Sequence, residues 1–143
     1  MEFEELKERI KKHEGYRSSV YLDTLGKRTI GYGHLCTDSE SWQDGVDYDQ
    51  KQLEKVFEYD FNIAVGGANN LLHDCGDVPT KAKEVIIEMV FQMGKTGVSK
   101  FKKMFAAIKD KKFDVASAEM LDSRWSEQTP HRARELSEIM KNV

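Results

Sequence analysis

Residues 14–34 read EGYRSSVYLDTLGKRTIGYGH, and the fold class turns on this stretch. Val20-Tyr21-Leu22 and Arg28-Thr29-Ile30 are rich in β-branched and aromatic side chains, and Asp23-Thr24-Leu25-Gly26 between them carries turn chemistry. A small antiparallel hairpin is predicted. Gly31 and Gly33 flank Tyr32 at its end, which predicts a tight bend or a close backbone approach. Upstream, Phe3, Leu6 and Ile10 form one stripe of an amphipathic helix of about three turns. Gly15 stands where such a helix stops, because glycine takes the left-handed conformation without penalty. Glu14 then lies at the C-terminal end of that helix, where the dipole disfavours negative charge and pushes a carboxyl pKa upward.

Downstream, residues 36–47 are polar and read as a surface loop. A long helix is expected from Asp49, which forms a capping-box pattern with Gln52, while Tyr48 and Leu53 have the spacing of a hydrophobic staple. It continues through Phe57, Phe61, Ala64 and Val65, and Gly66-Gly67 is a place for it to fray or bend. After Pro79, the residues Ala82, Val85, Ile86, Met89, Val90 and Met93 give the clearest apolar stripe in the chain, closed by Gly94. Phe101, Met104, Phe105 and Ile108 repeat the pattern, Phe113, Ala116, Met120 and Leu121 give a further helix, and a last one starts at Pro130. The reading is α+β: a strand-containing front lobe over residues 12–48, a connecting helix over 49–70, and an all-helical back lobe over 71–143 that also takes the N-terminal helix, 2–13.

The chain of 143 residues, 39% hydrophobic and 33% charged, is one domain's worth of ordinary globular sequence. No apolar run approaches the roughly 18–20 residues that cross a bilayer, so no stable membrane association is expected. The N-terminus alternates charge with isolated apolar residues, unlike a signal peptide, which predicts folding in a cytoplasm. A net charge of −3 gives no support to a nucleic-acid partner. That charge is uneven: residues 1–79 hold 9 basic against 16 acidic side chains (−7), and residues 80–143 hold 13 against 9 (+4). The split is either incidental or a sign that the back half meets an anionic polymer. Cys36 and Cys75 are too few for a disulfide framework. His34-x-Cys36 and His73-x-Cys75 match a zinc set in composition but not in spacing, so neither metal nor cofactor is expected.

Glu14, Asp23, Thr29 and His34 fall within twenty-one residues. A helix end followed by a hairpin can bring a Glu and an Asp to opposite sides of one cleft. Glycoside hydrolysis uses that arrangement, with one carboxylic acid protonating the leaving oxygen and a second carboxylate acting on water or as nucleophile. On composition alone the reading of both acids as ordinary surface residues is the stronger one.

Motif order adds to this. H-E-G-Y-R (13–17), V-Y-L-D-T-L-G (20–26) and T-I-G-Y-G-H (29–34) resemble the catalytic segment of the T-even bacteriophage-type lysozymes, the phage endolysins of glycoside hydrolase family 24. M-V-F-Q-M-G-K-T-G (89–97) and S-R-W-S-E-Q-T-P-H-R-A (123–133) resemble the same family more closely still. The likeness extends from about residue 3 to 140, with a shortened loop after the hairpin and a shortened C-terminus.

The resemblance implies a two-lobed lysozyme fold and a muramidase that cleaves the β-1,4 bond between N-acetylmuramic acid and N-acetylglucosamine. Glu14 matches the general acid, Asp23 the second carboxylate of an inverting reaction, and Thr29 the hydroxyl that helps hold the attacking water. His34 matches the floor of the cleft, and equally reads as a structural histidine bonded to a neighbouring acid. Leu35, Phe91 and Gln92 match cleft-lining positions. Arg132 matches an arginine paired with the catalytic glutamate, a cation that favours the ionised carboxylate. Trp125 reads as core packing. Met104 and Glu119 depart from the family, standing where small polar residues contact sugar, so the subsite for part of the glycan or its peptide stem is expected to differ. The acidic net charge also departs from the basic character of the family's best-known member, which predicts weaker or less salt-sensitive wall binding.

The implied partner is the peptidoglycan glycan strand, met by a monomer that a separate holin releases from the host cytoplasm to the wall. Two other readings stand beside this one: a lytic transglycosylase, against which Asp23 and Thr29 argue, and a non-catalytic peptidoglycan-binding module on the same fold.

Overall fold

A computed structural model of the chain describes residues 3–143, and the expected helix start at residue 2 lies outside the described residues. The class is α+β: seven α-helices and one three-stranded antiparallel sheet are present among the described residues. The chain divides into a first compact unit ending at Ile63 and a second, Ala64–Val143.

In the first unit α1 spans Glu4–Glu14 and buries Leu6 and Ile10. It stops as expected at Gly15, whose φ of 73° lies in the left-handed region and whose N–H returns to the Lys11 carbonyl. The predicted hairpin is β1 (Arg17–Leu22) and β2 (Arg28–Gly31), with Tyr21 opposite Thr29 and Leu22 opposite Arg28. A register irregularity between Arg17 and Tyr21 marks a bulge in β1. A third strand, β3 (His34–Leu35), pairs Thr29 with Leu35 and Ile30 with His34. Two residues are too short to show a period of two, so pattern reading passes over it.

Residues 36–49 form the expected loop, but it is tied down. The Arg28 guanidinium donates to the Trp42 carbonyl and to Asp44, the Tyr48 N–H donates to the Ser18 carbonyl, and the Ser18 hydroxyl donates to Asp47. The long helix α2 is Gln50–Leu71. Asp49 caps it by accepting from the Lys51 N–H at 3.3 Å, while the Gln52 half of the capping box is not formed among the described residues. Leu53, Phe57 and Phe61 on α2 are buried, and Lys7–Glu58 and Lys11–Glu54 pairs at 2.9 Å join α1 to α2 above them. The Lys11 ammonium also lies over the Tyr32 and Phe57 rings.

The second unit takes the C-terminal turns of α2 and then five helices: α3 (Thr80–Ser99), α4 (Lys102–Lys109), α5 (Phe113–Leu121), α6 (Arg124–Gln128) and α7 (Pro130–Lys141). Gly94, at φ 81° and ψ 159°, breaks α3 where the sequence predicts a stop. Gly66 and Gly67 do not bend α2. A Cβ on Gly67 would meet Val90 Cγ1 at 3.0 Å, so this glycine instead lets α3 approach. Ile86, Met89, Met104, Ile108, Met120, Leu136 and Met140 have no exposed surface, and each such burial contributes roughly 1.5–3 kcal/mol. The short α6 escapes the sequence reading, although its cap is conventional: the Ser123 hydroxyl accepts from the Ser126 N–H.

Candidate active site

The hairpin loop is built around one carboxylate. Asp23 Oδ1 accepts from the Leu25 N–H at 2.9 Å and from the Lys27 N–H at 2.8 Å, and backbone bonds Asp23–Lys27 and Gly26–Asp23 close the turn. Both side-chain bonds fall on Oδ1, which leaves Oδ2 without a hydrogen bond to any described residue. Lys27 links Asp23 to Thr29, because the buried Thr29 hydroxyl donates to the Lys27 carbonyl at 3.0 Å. The Thr29 proton is therefore engaged, and its oxygen lone pairs are what it has to offer. Thr29 lies opposite Tyr21 across the β1–β2 ladder, so the two share a sheet face.

Glu14 closes α1 half-buried, beside the turn that joins β2 to β3. A Cβ on Gly33 would meet Glu14 Oε1 at 2.5 Å and its Cδ at 3.1 Å, and Gly33 holds a φ of +76°. The close approach expected here is real at Gly33, which meets the Glu14 carboxyl, whereas a Cβ on Gly31 would only touch Leu53 at 3.5 Å and its φ of +65° marks a bend instead. The half-buried Tyr21 feels both acids. Its phenol is raised by burial first, then by the negative charge of Glu14, against the opposing pull of Arg17, with Asp23 adding to the rise. Helix end, hairpin turn and strand face accordingly put Glu14, Tyr21, Asp23 and Thr29 in one neighbourhood of the first unit.

His34 has both ring nitrogens on carboxylates. Nδ1 lies 2.7 Å from Asp60 Oδ2, and Nε2 lies 2.9 Å from Glu40 Oε2. The bond to Asp60 raises the imidazole above its ordinary value, burial opposes, and Glu40 adds to the rise. Leu35 on β3 is exposed. Neither thiol is in a disulfide, and burial pushes both Cys36 and Cys75 upward.

In the second unit Gln92 Oε1 accepts from the Trp125 indole N–H at 2.8 Å, which explains how that buried tryptophan satisfies its donor. Phe91 is half-buried beside Gln92. Met104 and Glu119 both border a hollow of about 520 Å³ with Met93, Phe101, Arg124 and Trp125. Met104 has no exposed surface and backs the hollow, whereas Glu119 is half-buried on its wall. The Arg132 guanidinium, 8% exposed, donates through Nε to Glu88 at 2.9 Å. Glu88 is fully buried, and sequence reading passed over it because it sits inside the apolar stripe of α3. In the sequence Tyr21 likewise reads only as a strand former.

The family model described as phage lysozyme matches residues 11–139, most of the chain. The chain belongs to the phage lysozyme family. Its similarity to "Probable T4-type lysozyme 2" of Dictyostelium discoideum is 30% identity, covering 95% of this chain and 93% of that one. "Probable T4-type lysozyme 1" of the same organism is 31% identical with the same coverage. "Peptidoglycan hydrolase gp36" of Pseudomonas phage phiKMV is 29% identical over 84% of this chain and 13% of its own length. The lysozyme fold and glycoside hydrolase activity expected from the motifs therefore stand on most of the chain. As a phage lysozyme it is a peptidoglycan-degrading enzyme.

Proposed function

We propose that this phage lysozyme is an inverting muramidase that cuts the β-1,4 bond between N-acetylmuramic acid and N-acetylglucosamine. The observation that carries the reading is the Asp23–Lys27–Thr29 linkage. It leaves one Asp23 oxygen and the Thr29 lone pairs as two acceptors, and a water between them gives each a hydrogen and turns its own lone pair outward. That water attacks the anomeric carbon and passes its proton to Asp23. The bond to the leaving oxygen breaks as Glu14 protonates it. Gly33 leaves the room in which the Glu14 carboxyl sits. Leu35, Phe91, Gln92 and Glu119 are assigned to glycan or stem-peptide contacts and His34 to supporting them, while the buried Met104 only backs the hollow that Glu119 borders and Arg132 holds Glu88. The enzyme acts as a monomeric endolysin, made in the host cytoplasm and released to the wall through a holin lesion. Among the described residues no helix is long and apolar enough to cross a membrane.

Clearing of outer-membrane-permeabilised bacteria by wild type and Glu14→Gln tests the acid. Loss of its general acid lowers the rate by about 10²–10⁴-fold. Equal clearing by both proteins removes Glu14 from the assignment, and failure of both favours a binding module. Mass spectrometry of digested wall should show reducing-end muropeptides, and anhydro products in their place would mean a lytic transglycosylase.

A further inference from the structure

Tyr21 is the one member of the hairpin neighbourhood to which the proposed reaction gives no task. Three features set it apart from an ordinary strand tyrosine. It lies directly across the ladder from Thr29 and two residues before Asp23, so its side chain rises on the face those residues use. The Arg17 guanidinium carbon stands 4.8 Å from its ring centroid, occupying one face of the ring and fixing its orientation. Its hydroxyl makes no hydrogen bond to any described residue, although the ring is half-buried and within the field of both Glu14 and Asp23.

The donors and acceptors of this face are unbalanced without it. An ionised Asp23 only accepts, and the Thr29 proton is already taken by the Lys27 carbonyl. Burial and the neighbouring carboxylates keep the Tyr21 phenol protonated, so it supplies the neutral O–H donor that the other two lack. A sugar whose anomeric carbon lies between the acid and the water offers ring-substituent oxygens as acceptors on that side.

We infer that Tyr21 is a further catalytic residue of the same site, its hydroxyl donating to a substituent oxygen of the sugar whose bond is cut, with Arg17 as the positioning residue that holds the ring. This rests on the assignment of Glu14, Asp23 and Thr29 to the reaction. A sugar reshapes as its anomeric carbon flattens toward the transition state, so a donor fixed from behind by Arg17 strengthens there more than in the ground state.

The test measures kcat and KM on solubilised glycan strands, together with the melting temperature, for wild type, Tyr21→Phe, Arg17→Met, the double variant and Glu14→Gln. Tyr21→Phe should lower kcat/KM about tenfold, mostly through kcat, as expected for one hydrogen bond formed in the transition state. Its melting temperature should stay that of wild type. Arg17→Met should lower kcat/KM about threefold in the wild-type background and leave Tyr21→Phe unchanged, since ring position matters only while the hydroxyl is present. A Tyr21→Phe enzyme within about twofold of wild type beside an inactive Glu14→Gln overturns the inference alone. An activity loss that tracks a loss of melting temperature also overturns it, by making the role structural. Full activity in Glu14→Gln brings down the site assignment beneath it.

Discussion

The two compact units use polar side chains in opposite ways. In the first, ion pairs and hydrogen bonds lie on partly wet ground: Lys7–Glu58, Lys11–Glu54, Tyr32–Glu54 and Arg28–Asp44 join helix to helix, turn to helix and strand to loop. In the second, the core is almost wholly apolar, and Arg132–Glu88 is set into it with Glu88 carrying no exposure at all. The difference teaches where reactive groups can be kept. A fully buried carboxylate must be matched by the scaffold or it unfolds the protein. A half-wet one such as Asp23 can give the scaffold one oxygen and keep the other for chemistry.

If that contrast holds, Arg132→Met should be the most damaging of the stability variants. It takes the guanidinium from a carboxylate with no access to water, a change that costs about 3–5 kcal/mol in urea denaturation. Lys7→Met, which breaks a partly exposed pair of the first unit, should cost less than about 1 kcal/mol. Similar losses for the two would erase the contrast. The packing of the second unit is tested next by adjacent glycines of α2. Gly67→Ala drives a Cβ to within 3.0 Å of Val90 and should destabilise by about 1–3 kcal/mol. Gly66→Ala meets nothing within 4 Å and should stabilise by about 0.5–1 kcal/mol through helix propensity. Thermal melts of the pair should move in opposite directions, and a Gly67→Ala melt at or above wild type would mean that α3 yields easily.

These sites also show what a sequence can and cannot say. Apolar period and glycine punctuation located α1 and α3, because burying one face of a helix imposes a repeat that survives in the order of residues, while Pro130 marked the start of α7. Gly15 and Gly94 were legible as stops because positive φ nearly demands glycine. Gly67 was not legible: its task is set by Val90 on another helix, and nothing local to α2 encodes that distance. The same holds for the site. Asp23 and Thr29 share a hairpin and can be read from it, and Glu14 can be placed at a helix end. The oxygen that Asp23 keeps, the ring that Arg17 covers at Tyr21 and the carboxylate that Arg132 meets at Glu88 are products of tertiary geometry. His34 shows the limit most clearly, for its partners Asp60 and Glu40 lie 26 and 6 residues away.

His34 therefore supplies the gentlest probe of the first unit. Carboxylates only accept, so the imidazole donates to Asp60 and Glu40 together only when both nitrogens carry protons. Its folded pKa is raised above the ordinary 6.5, chiefly by Asp60, so the stability it contributes is fully present below pH 6.5 and is lost as pH rises through the raised value. Glu40 moves the other way. Bonds from Thr37 and His34 outweigh its burial and hold it below 4.5, so its contribution is present above pH 4.5 and lost as pH falls through the lowered value. The difference in unfolding free energy between wild type and His34→Asn should therefore peak between about pH 4.5 and 6.5 and shrink on both sides. At its peak it should be on the order of 1 kcal/mol, since the cluster is partly open to water. Loop 36–49 is anchored through Glu40, so the same window should show the greatest protection of the Thr37 amide relative to its intrinsic exchange rate, since its N–H donates to the Glu40 carboxylate at 2.9 Å. A pH-independent difference would mean that His34 works by shape alone. The first unit would then be less dependent on its half-wet charges than its geometry implies.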